Sequence, residues 1–510
     1  MKKKVVYLGL AVDLIHPGHL NIINEAKKYG EVVVGLFTDS AIASYKRLPF
    51  MNYEQRKIVV ENIRAVSRVI PQNTLDYTNN LQALMPDFVI HGDDWKEGIQ
   101  KNTRQQVIDV LSEWNGELIE VSYTQGISST QLITIQKEYI GRDSISNIKE
   151  IIEKIDAKKV LLVTGKESFS NSGAKIKLVP LLNGIEVVRF SDFEINPKLE
   201  DVFSGVDIVL NQKPDLIIAI GGGSVIDMAK LINILSAQKE HSALNIIHDC
   251  SLIQNKGSSP LLAIPTTSGT GSEATHFAVV YVDKKKYSLA HEFMLPNYVI
   301  VDSSLSYYLP KNIAASAAMD ALSQAVESFW AVGSTIDSKR YAQQSIEIIL
   351  ESIEMAVVNM DANAKDAMAL AANLSGKAIN ISKTTAAHAI SYPITTYFNI
   401  PHGHAVALCL GKFFIINYNV EKDNVIDSRG DLYLKKVMKN LFTMFGCETA
   451  ECCHDKWYKL MELIGLEKDM AHLGIRDDND INLITGNVNL ERLNNNPVAL
   501  DSKKIAEIFS

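Results

Sequence analysis

Residues 16–19 read His16-Pro17-Gly18-His19 and follow an apolar run, Val5–Leu10. Two imidazoles at the exit of a first strand, where a helix opens, meet free backbone N–H groups and the positive end of the helix dipole. That combination suits the phosphates of a nucleotide during nucleotidyl transfer. Two further segments sit where the same ligand would lie. Gly92-Asp93-Asp94-Trp95 follows Phe88-Val89-Ile90, and Gly126-Ile127-Ser128-Ser129-Thr130 follows Ile119-Glu120-Val121. Both occupy the carboxyl ends of expected strands, where open α/β sheets bind ligands.

A second set of chemical residues lies further along. Asp215–Ile220 reads as a strand running into Gly221-Gly222-Gly223-Ser224 and a helix that carries Asp227. Glycine there lets the backbone approach a pyrophosphate. Thr266, Thr267 and Ser268 offer hydroxyls at another strand end. Asp320 and Gln324 are four apart on an expected helix and share a face. With His388 and His402 they bring one carboxylate and two imidazoles, a donor set for Zn²⁺ or Fe²⁺.

The elements that must position these groups follow from the apolar pattern. Val32–Phe37, Arg68–Pro71, Phe88–His91 and Leu118–Val121 read as buried strands, and Tyr53–Val66 and Asn102–Trp114 as helices, a parallel doubly wound sheet. The polar stretch Gly141-Arg142-Asp143-Ser144 and the helix after it mark a boundary, so the expected division is 1–140, a linker at 141–155, an α/β half at 156–305 and a helical half at 306–510. A chain of 510 residues has room for two or three such domains. Its net charge of −8, with no basic stripe, argues against nucleic acid as a partner. No apolar run reaches a membrane span, so no membrane partner is expected. Met1-Lys2-Lys3-Lys4 is basic, but the run after it holds Asp13 and the histidines, so no leader peptide and a cytoplasmic location are expected. Cys250, Cys409, Cys447, Cys452 and Cys453 are odd in number and lack framework or zinc spacing, and they are expected to be thiols.

The first three segments together resemble the cytidylyltransferases, over about residues 1–140. The resemblance implies that His16, His19 and Lys46 stabilise charge on the transferring phosphates. It implies that Gly9, Asp94, Trp95, Ser128, Ser129 and Thr130 bind CTP, with Mg²⁺ on the triphosphate. Within that family the runs Asp13–His19, Ser44–Phe50 and Tyr123–Leu132 look most like the enzymes of phosphonate biosynthesis. Tyr123 stands where the glycerol-3-phosphate enzymes carry arginine.

The second set resembles the iron-containing alcohol dehydrogenases, over about residues 156–510. The matching runs are 221–224, 265–273, 320–327 and 401–403. The resemblance implies a dinucleotide site at Gly165, Lys166, Gly221–Ser224, Asp227 and Thr266–Ser268. It also implies a metal held by Asp320, Gln324, His388 and His402. Gln324 replaces a histidine that the family normally uses. Gly165 replaces an aspartate that commonly excludes the NADP 2′-phosphate, so NADPH is expected to serve at least as well as NADH. Lys383–Tyr392 looks like the corresponding run of the phosphonoacetaldehyde reductases. That likeness implies that Lys383 meets a phosphonate and that Tyr392 helps to deliver a proton. The expected fold is thus α/β, with an N-terminal nucleotidyltransferase domain, a nucleotide-binding half and a helical metal-binding half. The expected substrates are CTP, a phosphonate and an aldehyde, and the expected assembly is a homo-oligomer. Two other readings fit the same motifs: a reductase feeding a CDP-polyol transferase, and a transferase fused to a catalytically dead dehydrogenase-like module.

Overall fold

A computed structural model describes all residues except 1–2, 13, 44–48, 50, 93–94, 96–100, 122–135, 284, 489 and 510. The chain forms two compact units, 1–135 and 136–510.

The first unit is built on a five-stranded sheet, β1 (Val5–Leu10), β2 (Glu31–Phe37), β3 (Val66–Gln72), β4 (Phe88–Gly92) and β5 (Glu117–Val121). The order is β3-β2-β1-β4-β5, and every pair is parallel. Val6 and Leu8 bury on one face and Tyr7 on the other, as a doubly covered sheet requires. The helix from Tyr53 ends at Glu61, with Asn62 as its C-cap, because β3 already begins at Val66. Strand order reverses between β1 and β4, so the ligand crevice of this sheet opens at their carboxyl ends. Helix α1 (Pro17–Lys27) starts there, and His16 is its N-cap.

The second unit has a six-stranded parallel sheet in the order β6-β13-β10-β9-β7-β8. Its strands are β6 (Lys137–Ile140), β7 (Lys159–Thr164), β8 (Glu186–Phe190), β9 (Leu216–Gly221), β10 (Leu261–Pro265) and β13 (Tyr298–Val301). An antiparallel hairpin, β11 (Phe277–Val282) with β12 (Lys285–Ala290), stands apart from it. Leu161 and Val163 face one core and Val160 and Leu162 the other.

The boundary differs from the sequence reading. β6 hydrogen-bonds along β13, so residues 137–140 belong to the second unit. The stretch read as a linker, 141–155, is ordered against that unit. Asp302 accepts the N–H groups of Asp143 and Ile145 at 3.0 and 3.3 Å, and Arg142 pairs with Asp366 at 2.6 Å. The helix Ile148–Ile155 then buries Ile148 and Ile151. Polar side chains that read as solvated are satisfied within the fold.

Helix α2 (Gly223–Ser236) follows β9. After β13 the chain is helical. Four helices carry or support the site: α3 (Lys311–Trp330), α4 (Ala362–Ser382), α5 (Ala386–Phe398) and α6 (His402–Tyr418). The expectation of five thiols is also corrected. Gly446 turns the chain at φ +62°, and Thr449 then caps the helix Ala450–Leu463 through the N–H of Cys452. That reversal brings the Cα atoms of Cys447 and Cys452 to 5.7 Å, and their sulfurs are paired. Among the described residues no helix is long and apolar enough to cross a membrane.

Lys230 on α2 is fully buried. Its ammonium donates to the carbonyls of Ser272, Thr275 and Phe277 at 2.6, 2.8 and 2.9 Å. It ties the loop after β10 and the start of β11 to α2. Replacing it with methionine takes this donor from the carbonyls of Thr275 and Phe277, each costing about 1–3 kcal/mol, while the Ser272 carbonyl keeps its bonds from Thr275. Lys230→Met is therefore expected to lower the stability of the second unit by about 2 kcal/mol or more while sparing the first. Hydrogen exchange read by mass spectrometry over a urea series resolves the two units.

Candidate active sites

Asp320 and Glu327 lie two turns apart on one face of α3, both buried. His388, in the first turn of α5, stands between them. Its Nδ1 hydrogen-bonds the carboxylate of Glu327, which also accepts the N–H of His388 at 3.2 Å and the hydroxyl of Thr385 at 2.8 Å. That bond fixes the ring and turns Nε2 toward Asp320 Oδ1, 3.3 Å away. His402 opens α6 behind Pro401 and brings a second imidazole, its ring centroid 5.5 Å from that of His388. Gly403 makes this approach possible. A Cβ there would lie 2.0 Å from the carbonyl of Ser316 and 2.7 Å from Cβ of Asp320. His404, two residues on, turns instead to the carbonyl of Glu467 at 2.6 Å.

The ligand atoms of Asp320, His388 and His402 all lie within 4.8 Å of one another. Asp320 Oδ1 and His388 Nε2 are buried and make no hydrogen bond. Burial opposes a charge on His388, but Glu327 and Asp320 outweigh it and raise its pKa to about 10. Burial and the Lys286 charge push His402 down to about 3, so this ring is neutral. Orphaned donor atoms, a carboxylate and a neutral imidazole fit a divalent cation in place of the His388 proton. Gln324 is close by but engaged. Its amide donates to the carbonyl of Thr270 at 3.1 Å and accepts from the hydroxyl of Ser375 at 3.1 Å. Three of the four expected ligands thus converge, and Gln324 lines the same cavity, its amide oxygen keeping a second lone pair beside the Ser375 bond.

These residues line a cavity of about 700 Å³ that also takes in Gly223, Ser224 and Asp227 from the β9 exit and Lys383 from the end of α4. Gly222 caps α2 without a side-chain bond, and a Cβ on Gly223 would meet Thr270 at 2.8 Å. A bare helix N-terminus beside a close backbone approach fits a pyrophosphate. Asp227 faces inward, accepting from the hydroxyl of Ser272 at 2.5 Å and the N–H of Val279 at 3.0 Å. Gly221 ends β9, and the Thr266 N–H donates to its carbonyl at 2.9 Å. Thr267 stands over Gly222, and Ser268 lines a separate small cavity of about 30 Å³. Gly165 and Lys166 lie at the β7 exit. Tyr392 stacks its ring on His402, centroids 5.7 Å apart.

Lys286, on β12, was not identified from the sequence. Its ammonium lies 3.4 Å from the centroid of the Tyr392 ring, inside the same cavity. It sits in the run Lys284-Lys285-Lys286, which reads as a solvated charge cluster until the hairpin folds one member inward.

In the first unit His16 and His19 are brought together at the opening of α1, ring centroids 3.9 Å apart. His16 is buried with its Nδ1 unbonded, and burial lowers its pKa. Gly9 backs onto Tyr77, whose hydroxyl would lie 2.1 Å from a Cβ there. Trp95 is buried, stacked on His91 at 3.8 Å, and its indole N–H donates to Glu120 at 2.9 Å. One face of the Trp95 ring is thus taken by His91. Lys46, Asp94, Ser128, Ser129 and Thr130 lie outside the described residues.

Comparison with known proteins divides the chain in the same way. Residues 11–135 match the cytidylyltransferase-like family, 136–303 the iron-containing alcohol dehydrogenase family, and 314–510 the C-terminal part of the latter. An NADPH-dependent butanol dehydrogenase from Clostridium saccharobutylicum is 33% identical over 285 residues, covering 55% of this chain and 72% of that protein. A phosphonoacetaldehyde reductase from Streptomyces viridochromogenes is 32% identical over 241 residues, 46% of this chain and 61% of that protein. Among solved structures, sulfoacetaldehyde reductase from Bifidobacterium kashiwanohense, in complex with NAD⁺, superposes with a TM-score of 0.66 at 28% identity. That match covers 73% of this chain and 96% of that one.

The His388–Glu327 bond generates a test. Glu327→Gln keeps the size of the side chain but removes the charge that orients the imidazole. Loss of such an outer carboxylate typically weakens metal binding about 10–100-fold. Competition with a chelator, followed by metal analysis of the purified variant, should show that loss, and Asp320→Asn should show a larger one.

Proposed function

The chain belongs to the iron-containing alcohol dehydrogenase family and carries a cytidylyltransferase-like domain ahead of it, and on that premise we propose that it catalyses two consecutive steps of phosphonate biosynthesis. The second unit reduces phosphonoacetaldehyde to 2-hydroxyethylphosphonate with NAD(P)H. The first unit joins that phosphonate to CMP from CTP and releases pyrophosphate.

The observation that carries this reading is the presence of two lysines in the metal cavity, Lys286 from β12 and Lys383 from the end of α4. An uncharged aldehyde has no use for them. Lys383 also has φ +61° and ψ 173°, a region that is almost exclusively glycine's. Such a conformation costs about 1–3 kcal/mol and persists where the surroundings enforce it, commonly at ligand sites. The Streptomyces viridochromogenes and Bifidobacterium kashiwanohense relatives are named for aldehydes that carry a phosphonate and a sulfonate, which is the same charge problem.

A divalent cation and a reduced dinucleotide would supply Lewis-acid polarisation of the aldehyde and the hydride. The residues of the chain do the rest. Glu327 holds His388 in one orientation, and Asp320 and the neutral His402 complete the donor set. Lys286 and Lys383 balance the phosphonate charge. The carbonyl oxygen takes its proton from Tyr392 or from a water beside it as the carbon receives hydride.

In the first unit a phosphonate oxygen attacks the α-phosphorus of CTP, and the α–β phosphoanhydride bond breaks. His16, His19 and Lys46 stabilise charge on the transferring and leaving phosphates. Asp94 and Trp95 serve the nucleoside, with Gly9 in the same CTP site, and Ser128, Ser129 and Thr130 serve the phosphates. Mg²⁺ on the triphosphate belongs to the same reading. So do use of NADPH at least as well as NADH, a cytoplasmic location, where CTP and NADPH are held, and a homo-oligomeric state.

The decisive experiment incubates the protein with phosphonoacetaldehyde, NADPH, CTP and Mg²⁺ and looks for the CMP-linked phosphonate by mass spectrometry. Its absence, with glycerol 3-phosphate accepted instead, would favour a CDP-polyol product. His16→Ala or His19→Ala should lower CMP transfer about 10²–10³-fold and leave aldehyde reduction intact. Lys383→Ala and Lys286→Ala should raise KM for phosphonoacetaldehyde sharply and for propanal little, because lost uniform binding appears in KM. Equal effects on both aldehydes would remove the lysines from the phosphonate site.

A further inference from the structure

The cavity fixes which way a dinucleotide runs. Its metal end and the Gly223–Ser224 turn lie on the β9 and β10 side of the sheet. With the pyrophosphate at the start of α2 and the nicotinamide toward the metal ligands, the adenosine must leave across the neighbouring strands, β7 and then β8. Strand order reverses there, since β7 leads to β8 on one side and the chain returns to β9 on the other. That reversal opens a crevice at the β7 exit.

Arg189, on β8, reaches into this exit. Its Nε donates to the hydroxyl of Thr164 at 2.9 Å. Its Nη2 donates to the carbonyls of Gly165 and Lys166 at 3.1 and 3.4 Å. The guanidinium lies 5.3 Å from the centroid of the Phe169 ring. Nη1 has no hydrogen-bond partner among the described residues. Lys166, beside it, pairs with the largely exposed Asp192 at 3.0 Å. Among the described residues no carboxylate pairs with Arg189 itself. A Cβ on Gly165 would meet only the rotatable hydroxyl of Ser168 closely, at 2.2 Å, so a side chain is absent here without being forbidden by the backbone. The absent side chain therefore permits a 2′-phosphate without attracting one, and the attraction must come from elsewhere.

We propose that Arg189 is the residue that recognises the 2′-phosphate of NADPH, with Lys166 as its partner. The assignment rests on the proposed use of NADPH. Three bonds already hold the guanidinium in place, so little freedom is lost when the phosphate arrives. The unbonded Nη1 and the ammonium of Lys166, released from Asp192, give charge-assisted donors to a dianion. NADH offers a ribose hydroxyl at the same point and gains nothing from the charge.

Binding is read on the full-length protein by fluorescence titration with NADPH and NADH, and by competition with adenosine 2′,5′-bisphosphate and with AMP. Wild type should bind the bisphosphate more tightly than AMP. Arg189→Ala should weaken NADPH and the bisphosphate about 10–100-fold, the loss expected for a charge-assisted hydrogen bond, and leave NADH and AMP within about twofold. Arg189→Gln, which keeps an N–H for Thr164, should give the same pattern and guards against collapse of the exit loop. Equal loss for both dinucleotides would make Arg189 a structural cross-link between β7 and β8 and overturn the proposal. Unchanged NADPH binding in both variants would overturn it as well. A wild type that does not distinguish the bisphosphate from AMP would instead refute the use of NADPH on which the proposal rests.

Discussion

Asp320 and Glu327 place two carboxylates on one helix face inside an apolar core, on either side of a single imidazole. Burying one charge costs several kcal/mol even after relaxation, and removing the partner of a buried pair costs about 3–5 kcal/mol. Two negative charges around His388 therefore demand positive charge at that point. The protein meets half of the demand by holding His388 protonated through Glu327 and Asp320. His402 contributes none, since burial and Lys286 keep it neutral. A divalent cation would satisfy the same demand better than one proton, because Asp320, His388 and His402 could hold it together while Glu327 kept its hydrogen bond. Metal affinity and helical packing are thus one problem with one solution.

The packing that solves it depends on small residues. Gly403 lets α6 rest on the backbone of α3, and Gly271 and Gly376 bring the loop after β10 against α4, where a Cβ would lie 2.5 Å from the opposing backbone. Alanines fill much of the remaining interface on α3 and α4. Short side chains there bring helix axes close enough for ligands from three helices to meet. They also explain why Gln324 binds Thr270 and Ser375. Both partners hold its amide in place on the helix that carries Asp320.

The sequence reveals most where function sits at the end of an element. His16, Gly221–Ser224 and His402 all lie at strand exits or helix starts, where glycine, proline and polar residues interrupt an apolar pattern. Asp320 and His388 are legible for the same reason, through short motifs on helices. Glu327 lies within the quoted run 320–327, yet its role was missed, because what makes it matter is a contact with a helix sixty residues on. Lys230, Lys286 and Arg189 show the same limit. No motif singles any of them out, and only tertiary structure shows that one is buried among carbonyls, one turned into a cavity and one fastened to a strand exit. The stretch 141–155 misled in the opposite direction. Its polarity looks like solvent exposure, but Asp302 and Asp366 absorb it. Trp95 adds contacts to His91 and Glu120 that no sequence motif announces.

Under the proposed function the two units face one chemical species with opposite requirements. In the reductase the phosphonate is a handle. It must be held by charge but kept off the cation, which would otherwise be claimed by the stronger anionic ligand instead of the aldehyde oxygen. Lysines on a hairpin and on a helix end satisfy that need, because an ammonium on a long stem offers charge without fixed geometry. In the transferase the phosphonate is the nucleophile. Its charge must be tolerated as it approaches a second anion, so the site needs donors aimed at the phosphorus centre. Paired imidazoles at a helix N-terminus suit that task, since they present N–H groups in a fixed direction and add to the field of the helix. The difference between flexible lysines in one unit and preorganised histidines in the other is what the change in role of a single anion would require.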